Sequence, residues 1–231
     1  MSNLKRVLML AGVLAALGQA HAAKFVLSPV LLTVNPAQTL TTSTTITNTD
    51  GAATAFTAEV LAWTQKDGQD VLVPTRDAVV SPMNFTVAPG RSQVVRVALR
   101  QAPGTASLTY RLILRQKVQP QPVSAAGASV TPRYVFSLPL FAELPTARPN
   151  VSIRAVQGPA LTFQNAGTGY GVFRNIKVTA AGKTFELGNQ YVLSGSTMPL
   201  RLPDELRDAR TLEFTAEDAS QKPVRVTVNV E

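Results

Sequence analysis

Strict two-residue alternation narrows most sharply the folds open to this chain. Across residues 93–100, Val95, Val97 and Leu99 fall on one face, and Val94, Arg96 and Ala98 on the other. Residues 108–115 repeat the pattern, with Leu108, Tyr110, Leu112 and Leu114 opposite Thr109, Arg111, Ile113 and Arg115. A helix cannot gather such a set onto one stripe, whereas a strand resting on a core does so directly. Strands are also expected at 39–49, which ends in the turn signal Asn48-Thr49-Asp50-Gly51, and at 55–65. The stretch Lys66-Asp67-Gly68-Gln69-Asp70 reads as a hairpin loop into Val71-Leu72-Val73, and Phe85-Thr86-Val87 is a further short strand. About seven short strands with turns every 8–12 residues or so describe an immunoglobulin-like sandwich.

One strand is too apolar for its place. Residues 134–141 are almost wholly hydrophobic, with Tyr134, Phe136, Leu138 and Leu140 on one face. Pro132 and Pro139 lack a backbone N–H, which points to a sheet edge. Soluble proteins normally blunt such edges with charge, yet only Arg133 precedes Glu143 here. The strand is therefore expected to pair with another chain. An exposed edge of this kind also provides a route to self-association of the free protein.

The N-terminus supplies an address. Lys5 and Arg6, the apolar run 7–17 and the small-residue signal Ala20-His21-Ala22 predict a signal peptide over residues 1–22. The run is short for a membrane span, so an exported chain without stable membrane insertion is expected. His21 is the sole histidine and there is no cysteine, so a chain starting at Ala23 holds neither. That removes Ser-His-Asp triads, thiol chemistry and the usual zinc, copper or haem ligand sets. No run of Asp and Asn has calcium-loop spacing, and no cofactor is expected. Carboxylate-only hydrolysis would need two acids about 5–10 Å apart in a cleft. Residues 78–142 contain no Asp or Glu, but do contain Arg91, Arg96, Arg100, Arg111, Arg115, Lys117 and Arg133. A stretch of one sign suggests an anionic partner or a carboxylate to be held.

The 209 residues left after the leader (231 less 22) suit two domains of about 100 residues each. The boundary is expected at Leu144-Pro145-Thr146-Ala147-Arg148-Pro149-Asn150, a short semi-rigid linker between domains at 23–144 and 148–231. Strands resume at 161–163, 171–179, 183–187, 211–216 and 223–230, and a helical turn follows Pro203. Gly167-Thr168-Gly169-Tyr170-Gly171 leads into a strand, not a helix, so it reads as a turn and not as a nucleotide loop. The adjacent pairs Asp204-Glu205 and Glu217-Asp218 read as solvated faces, because neighbouring side chains diverge. Basic residues among aromatics can bind nucleic acid, but no recognition helix or aromatic platform accompanies them, and no nucleic-acid partner is expected. Arg111 and Arg115 share one strand face. They are either surface arginines or, for Arg111, a cleft residue binding a carboxylate in a bidentate pair.

The first domain contains Ser28-Pro29-Val30, Thr45-Ile46-Thr47-Asn48, residues 85–97 and Tyr110-Arg111-Leu112 in that order. The second contains Phe163-Gln164-Asn165-Ala166-Gly167 and Tyr191-Val192-Leu193-Ser194-Gly195. Together these segments resemble periplasmic pilus-assembly chaperones of the chaperone–usher pathway. The resemblance implies two immunoglobulin-like domains joined at an angle, with a cleft between them. It implies a donor strand at 130–140 that completes a fibre subunit's sandwich, offering Val130, Tyr134, Phe136, Leu138 and Leu140, with a mobile loop at 116–129 before it. An outer-membrane usher would then exchange that strand for the next subunit's extension, without nucleotide. The family's basic anchor positions fall near Leu32 and Ser137, and neither is basic. With Leu138-Pro139 and Tyr110-Arg111-Leu112 this resembles the divergent, archaic branch. The subunit's terminal carboxylate is then expected at Arg111, with Arg96 or Arg133 as second member. The competing reading is an exported two-domain adhesin or carbohydrate-binding protein, although Trp63, the sole tryptophan, sits where core packing is expected.

Overall fold

The computed structural model describes residues 24–117, 133–156 and 160–230. The expected signal peptide, Val130 and most of the 116–129 loop lie outside the described residues. Among those residues the chain is all-β, with one 3₁₀ turn at Asp204–Leu206. No helix among them is long and apolar enough to cross a membrane.

The first sandwich contains β1 (Phe25–Ser28), β2 (Leu32–Val34), β3 (Thr41–Asn48), β4 (Thr54–Lys66), β5 (Gln69–Pro74), β6 (Ala78–Ser81), β7 (Asn84–Val87), β8 (Ser92–Leu99), β9 (Leu108–Gln116) and β10 (Val135–Ala142). One sheet runs β1-β3-β8-β6; the other runs β2-β10-β9-β4-β5, with β7 also on β4. The alternation in β8 and β9 works as expected: Val95, Val97, Leu99, Tyr110, Leu112 and Leu114 are all buried in one core. Asp67 and Gly68, both at positive φ (52° and 74°), turn β4 into β5 as the hairpin loop predicted.

The first strand divides between the two sheets. β1 pairs antiparallel with β3, and after Ser28 the chain crosses over to run parallel to β10 as β2. That crossing sets the fate of β10. Its Leu140–Ala142 end lies between β2 and β9, whereas Val135–Pro139 pairs with β9 alone. The edge expected over 134–141 is therefore open only over its first part.

The second sandwich contains β11 (Val151–Val156), β12 (Ala160–Asn165), β13 (Gly171–Ala180), β14 (Lys183–Val192), β15 (Thr197–Arg201), β16 (Thr211–Glu217) and β17 (Pro223–Asn229). Its sheets run β11-β12-β15 and β14-β13-β16-β17. Leu161, Phe163, Ile176, Val178, Leu212 and Phe214 fill a separate core with no exposed surface.

A third, smaller cluster joins the sandwiches: Trp63 and Phe141 from the first, Leu193, Tyr170 and Tyr191 from the second. The glycine turn has a structural task here. Thr168 and Gly169 N–H groups donate to the Arg148 carbonyl, and a Cβ at Gly167 would collide with the Arg148 and Asn150 backbone. The turn is a cradle for the linker. Asn165 completes it: its amide donates to Gly169 and Val192 carbonyls (2.8 and 2.9 Å) and accepts from Asn150 and Gly167 N–H groups (3.0 and 2.9 Å). Asn48 has the corresponding role in the first sandwich, donating to Ala52 and Val87 carbonyls.

Candidate functional site

The site is an open strand edge that runs down to a cleft between the sandwiches. Along Val135–Pro139 the backbone has a partner on one side only, so alternate N–H and C=O groups on the other remain free for a further strand. Tyr134 and Phe136 are partly buried and lean on the first core. Their rings form an aromatic group with Phe25 and Phe56, at 5.2 Å from Phe25 to Tyr134 and 6.3 Å from Phe56 to Phe136. The opposite face of the edge presents Val135, half exposed, and Ser137.

Leu138 and Leu140 differ from the sequence expectation. They are 4% and 0% exposed and belong to the protein's own core, and Leu140 is also covered by β2. Of the residues expected to be offered to a partner, Tyr134 and Phe136 alone are both described and incompletely buried. The periodicity placed all four on one face correctly, but could not say where along that face the sandwich closes.

The cleft holds Arg111. Antiparallel pairing sets Arg111 opposite Pro139, at the end of the open edge. Its side chain turns away from β10: the guanidinium carbon lies 3.8 Å from the centre of the Trp63 ring on β4, and a terminal nitrogen is 3.8 Å from Asp70 on β5. The side chain is 16% exposed, and burial lowers its pKa while Asp70 and Tyr191 pull it back up. An open recess of about 440 Å³ adjoins it, lined by Gln65, Asp70, Arg111 and Tyr191 among others. Trp63 is 1% exposed inside the interdomain cluster, so it is no platform for a sugar.

The other two arginines expected with Arg111 stand elsewhere. Arg96 lies on β8, in the opposite sheet, between Ser43 and Ser81 on its solvent face. Arg133 heads the β9–β10 hairpin and donates to the Gln116 carbonyl at 3.2 Å. It is six residues before Pro139, or roughly 20 Å along an extended strand. Neither reaches Arg111. Arg115 is a surface arginine, paired with Glu59 at 3.0 Å.

Two residues beside Arg111 carry no sequence signal of their own: Asp70, its ion-pair partner, and Gln65, which lines the same recess. In the sequence Asp70 reads as part of a hairpin loop and Gln65 as the end of a strand. The turn is only two residues, Asp67-Gly68, shorter than the 66–70 loop expected, and it therefore pairs Gln65 with Asp70. That β4 lies beside β9, so that β5 brings Asp70 to Arg111, is not legible in the sequence. Gln65 also grips the second sandwich: its amide nitrogen donates to Asp70 Oδ1 and the Tyr191 carbonyl, each at 3.0 Å, and its oxygen accepts from the Leu193 N–H at 2.8 Å.

A scan against protein-family models and a search of curated proteins give no match. Solved structures do match, over most of the chain. A chain of the CsuC–CsuE chaperone–tip adhesion subunit pre-assembly complex, from the archaic chaperone–usher Csu pili of Acinetobacter baumannii, aligns with a TM-score of 0.66 and 19% identity, covering 90% of this chain and 100% of that one. A chain from the complex of Salmonella enterica SafA pilin with the SafB chaperone gives 0.63 and 15%, covering 89% and 98%. The E. coli chaperone DraB gives 0.58 and 16%, covering 89% and 98%. The chain is thus a two-sandwich, immunoglobulin-like protein. Its fold is that of the chaperone–usher pilus chaperones.

Proposed function

We propose that this protein is a periplasmic, non-enzymatic chaperone that captures fibre subunits by strand addition and passes them to an outer-membrane usher. The observation that carries the reading is the half-open edge of β10: Val135–Pro139 is left without a second neighbour, and the partly buried aromatics Tyr134 and Phe136 line one of its faces. A subunit lacking one strand would add along this edge through backbone hydrogen bonds, with its own core meeting Tyr134 and Phe136. Because completing the subunit's fold supplies the driving force, no nucleotide is needed. Arg111 is the proposed anchor for the subunit's terminal carboxylate, as the arginine recessed in the cleft where the open edge ends. The domain limits follow the two cores, with the linker seated on the Gly167–Gly171 turn. The fold shared with chaperones solved in complex with pilus subunits supports the choice of partner.

The test is co-expression of the full chain in a periplasm with a candidate fibre subunit, followed by isolation of a soluble one-to-one complex. Phe136→Asp is expected to abolish that complex, because it sets a charge against an apolar groove, with circular dichroism of the purified variant separating loss of capture from loss of fold. A stable complex with Phe136→Asp would overturn the assignment of β10. Glycan binding with no effect on fibre assembly would favour an adhesin instead.

A further inference from the structure

We propose that Asp70 is a resident counter-ion that parks Arg111 on the side of β9 away from the open edge, so that a bound carboxylate must win the arginine from it. The proposal rests on the reading of Arg111 as a carboxylate anchor. In the structure the guanidinium lies over β4 and reaches β5, while the open edge belongs to β10, on the other side of β9. A strand added to that edge would run two strand spacings from β9, about 10 Å, on the side Arg111 turns away from. The arginine therefore has to swing to serve it.

The parking contact suits an exchange. At 3.8 Å the Arg111–Asp70 pair is an ion pair without a short hydrogen bond, and the Asp70 side chain is 46% exposed. A contact so loose and so wet holds a side chain weakly. Yet Asp70 itself is well placed. Gln65 donates to its Oδ1, and the same amide is fixed by the Tyr191 carbonyl and the Leu193 N–H across the cleft. The second sandwich thus positions, through Gln65, the carboxylate that occupies Arg111. Asp70 is a specificity residue in this arrangement. It keeps the cationic recess neutral when empty, and it raises the concentration at which a weakly bound anion takes the arginine.

Acetate serves as the probe, titrated into the ¹⁵N-labelled full chain against chloride at matched ionic strength. The readout is the Nε–Hε resonance of Arg111, assigned by its loss in Arg111→Lys. Acetate is expected to move that resonance, with a half-saturation concentration about threefold or more lower in Asp70→Asn. The asparagine keeps an oxygen for Gln65, so a merely structural role for Asp70 would leave the titration unchanged. Asp70→Glu is expected to restore the wild-type curve. Equal half-saturation in wild type and Asp70→Asn overturns the counter-ion role and leaves the anchor intact. No movement of Arg111 in either protein overturns the anchor, and this proposal with it.

Discussion

Phe141 and Tyr170 lie face to face across the two sandwiches, with ring centroids 3.6 Å apart and planes 9° from parallel. Phe141 sits on the far end of β10, so the strand with the open edge is the same strand that bolts the first sandwich to the second. Trp63 and Tyr191 complete the contact, at 5.8 Å each from Phe141.

Phe141→Ala removes a fully buried ring from that joint. It is expected to lower unfolding stability by about 3 kcal/mol, as large-to-small changes at packed aromatic sites do. Urea denaturation measures the loss, and small-angle scattering of the folded variant should show a wider spread of distances between the sandwiches. Unchanged scattering would mean that the linker cradle alone fixes their orientation.

Tyr170 makes stability sensitive to alkali. Burial raises the pKa of its phenol first, and the neighbouring Glu143 carboxylate, which accepts its hydrogen bond, raises it further. Burial shifts Tyr110 in the same direction. The unfolded chain releases these protons near pH 10, while the folded chain keeps them. The contribution to stability is therefore complete below about pH 10 and is lost as pH climbs above it. Denaturation midpoints measured from roughly pH 8 to 11 should fall at the alkaline end, and less steeply in Tyr170→Phe.

Asn165→Ala strips the linker cradle of its centre. Two N–H groups and two carbonyls lose their partner at once. A cost of about 3 kcal/mol is expected, which thermal unfolding would register as a drop of several degrees. Asn165→Asp keeps the acceptor but turns a second oxygen toward the Gly169 and Val192 carbonyls, so it should be no more stable than Asn165→Ala.

Arg111 and Arg96 separate in a capture assay. Arg111→Ala is expected to weaken subunit binding about tenfold or more, the scale of losing a charge-assisted hydrogen bond. Arg96→Ala should leave capture unchanged, since Arg96 faces solvent on the opposite sheet. Equal losses for both would point to general attraction by positive charge, in place of a local anchor.

Much of this architecture was legible in one-dimensional form. Alternation in β8 and β9 located the first core, and Asp67-Gly68 located the hairpin. The apolar octet of β10 announced a strand with unusual business. What could not be read depends on which strands become neighbours. Leu138 and Phe136 are equivalent in periodicity, yet one is 4% exposed and the other only partly buried, because the sandwich closes between them. Trp63 was expected in a core and is buried, but in the joint between sandwiches and beneath Arg111. The acid-free stretch gave Arg111 no partner in sequence, whereas β5 brings Asp70 to it from outside that stretch. Short strands such as β1, β2 and β6 carry too few residues for a pattern to emerge.

The crossing of the first strand from one sheet to the other also acts as a ruler. Only Pro29, Val30 and Leu31 separate β1 from β2, so the point at which β2 joins β10 is fixed to within a residue or so. A backbone laid along Val135–Pro139 has about five residues of track, roughly 16 Å, before it meets Leu32 as a buffer stop. Lengthening the 29–31 segment would slide that stop, and with it the register at which any added strand comes to rest.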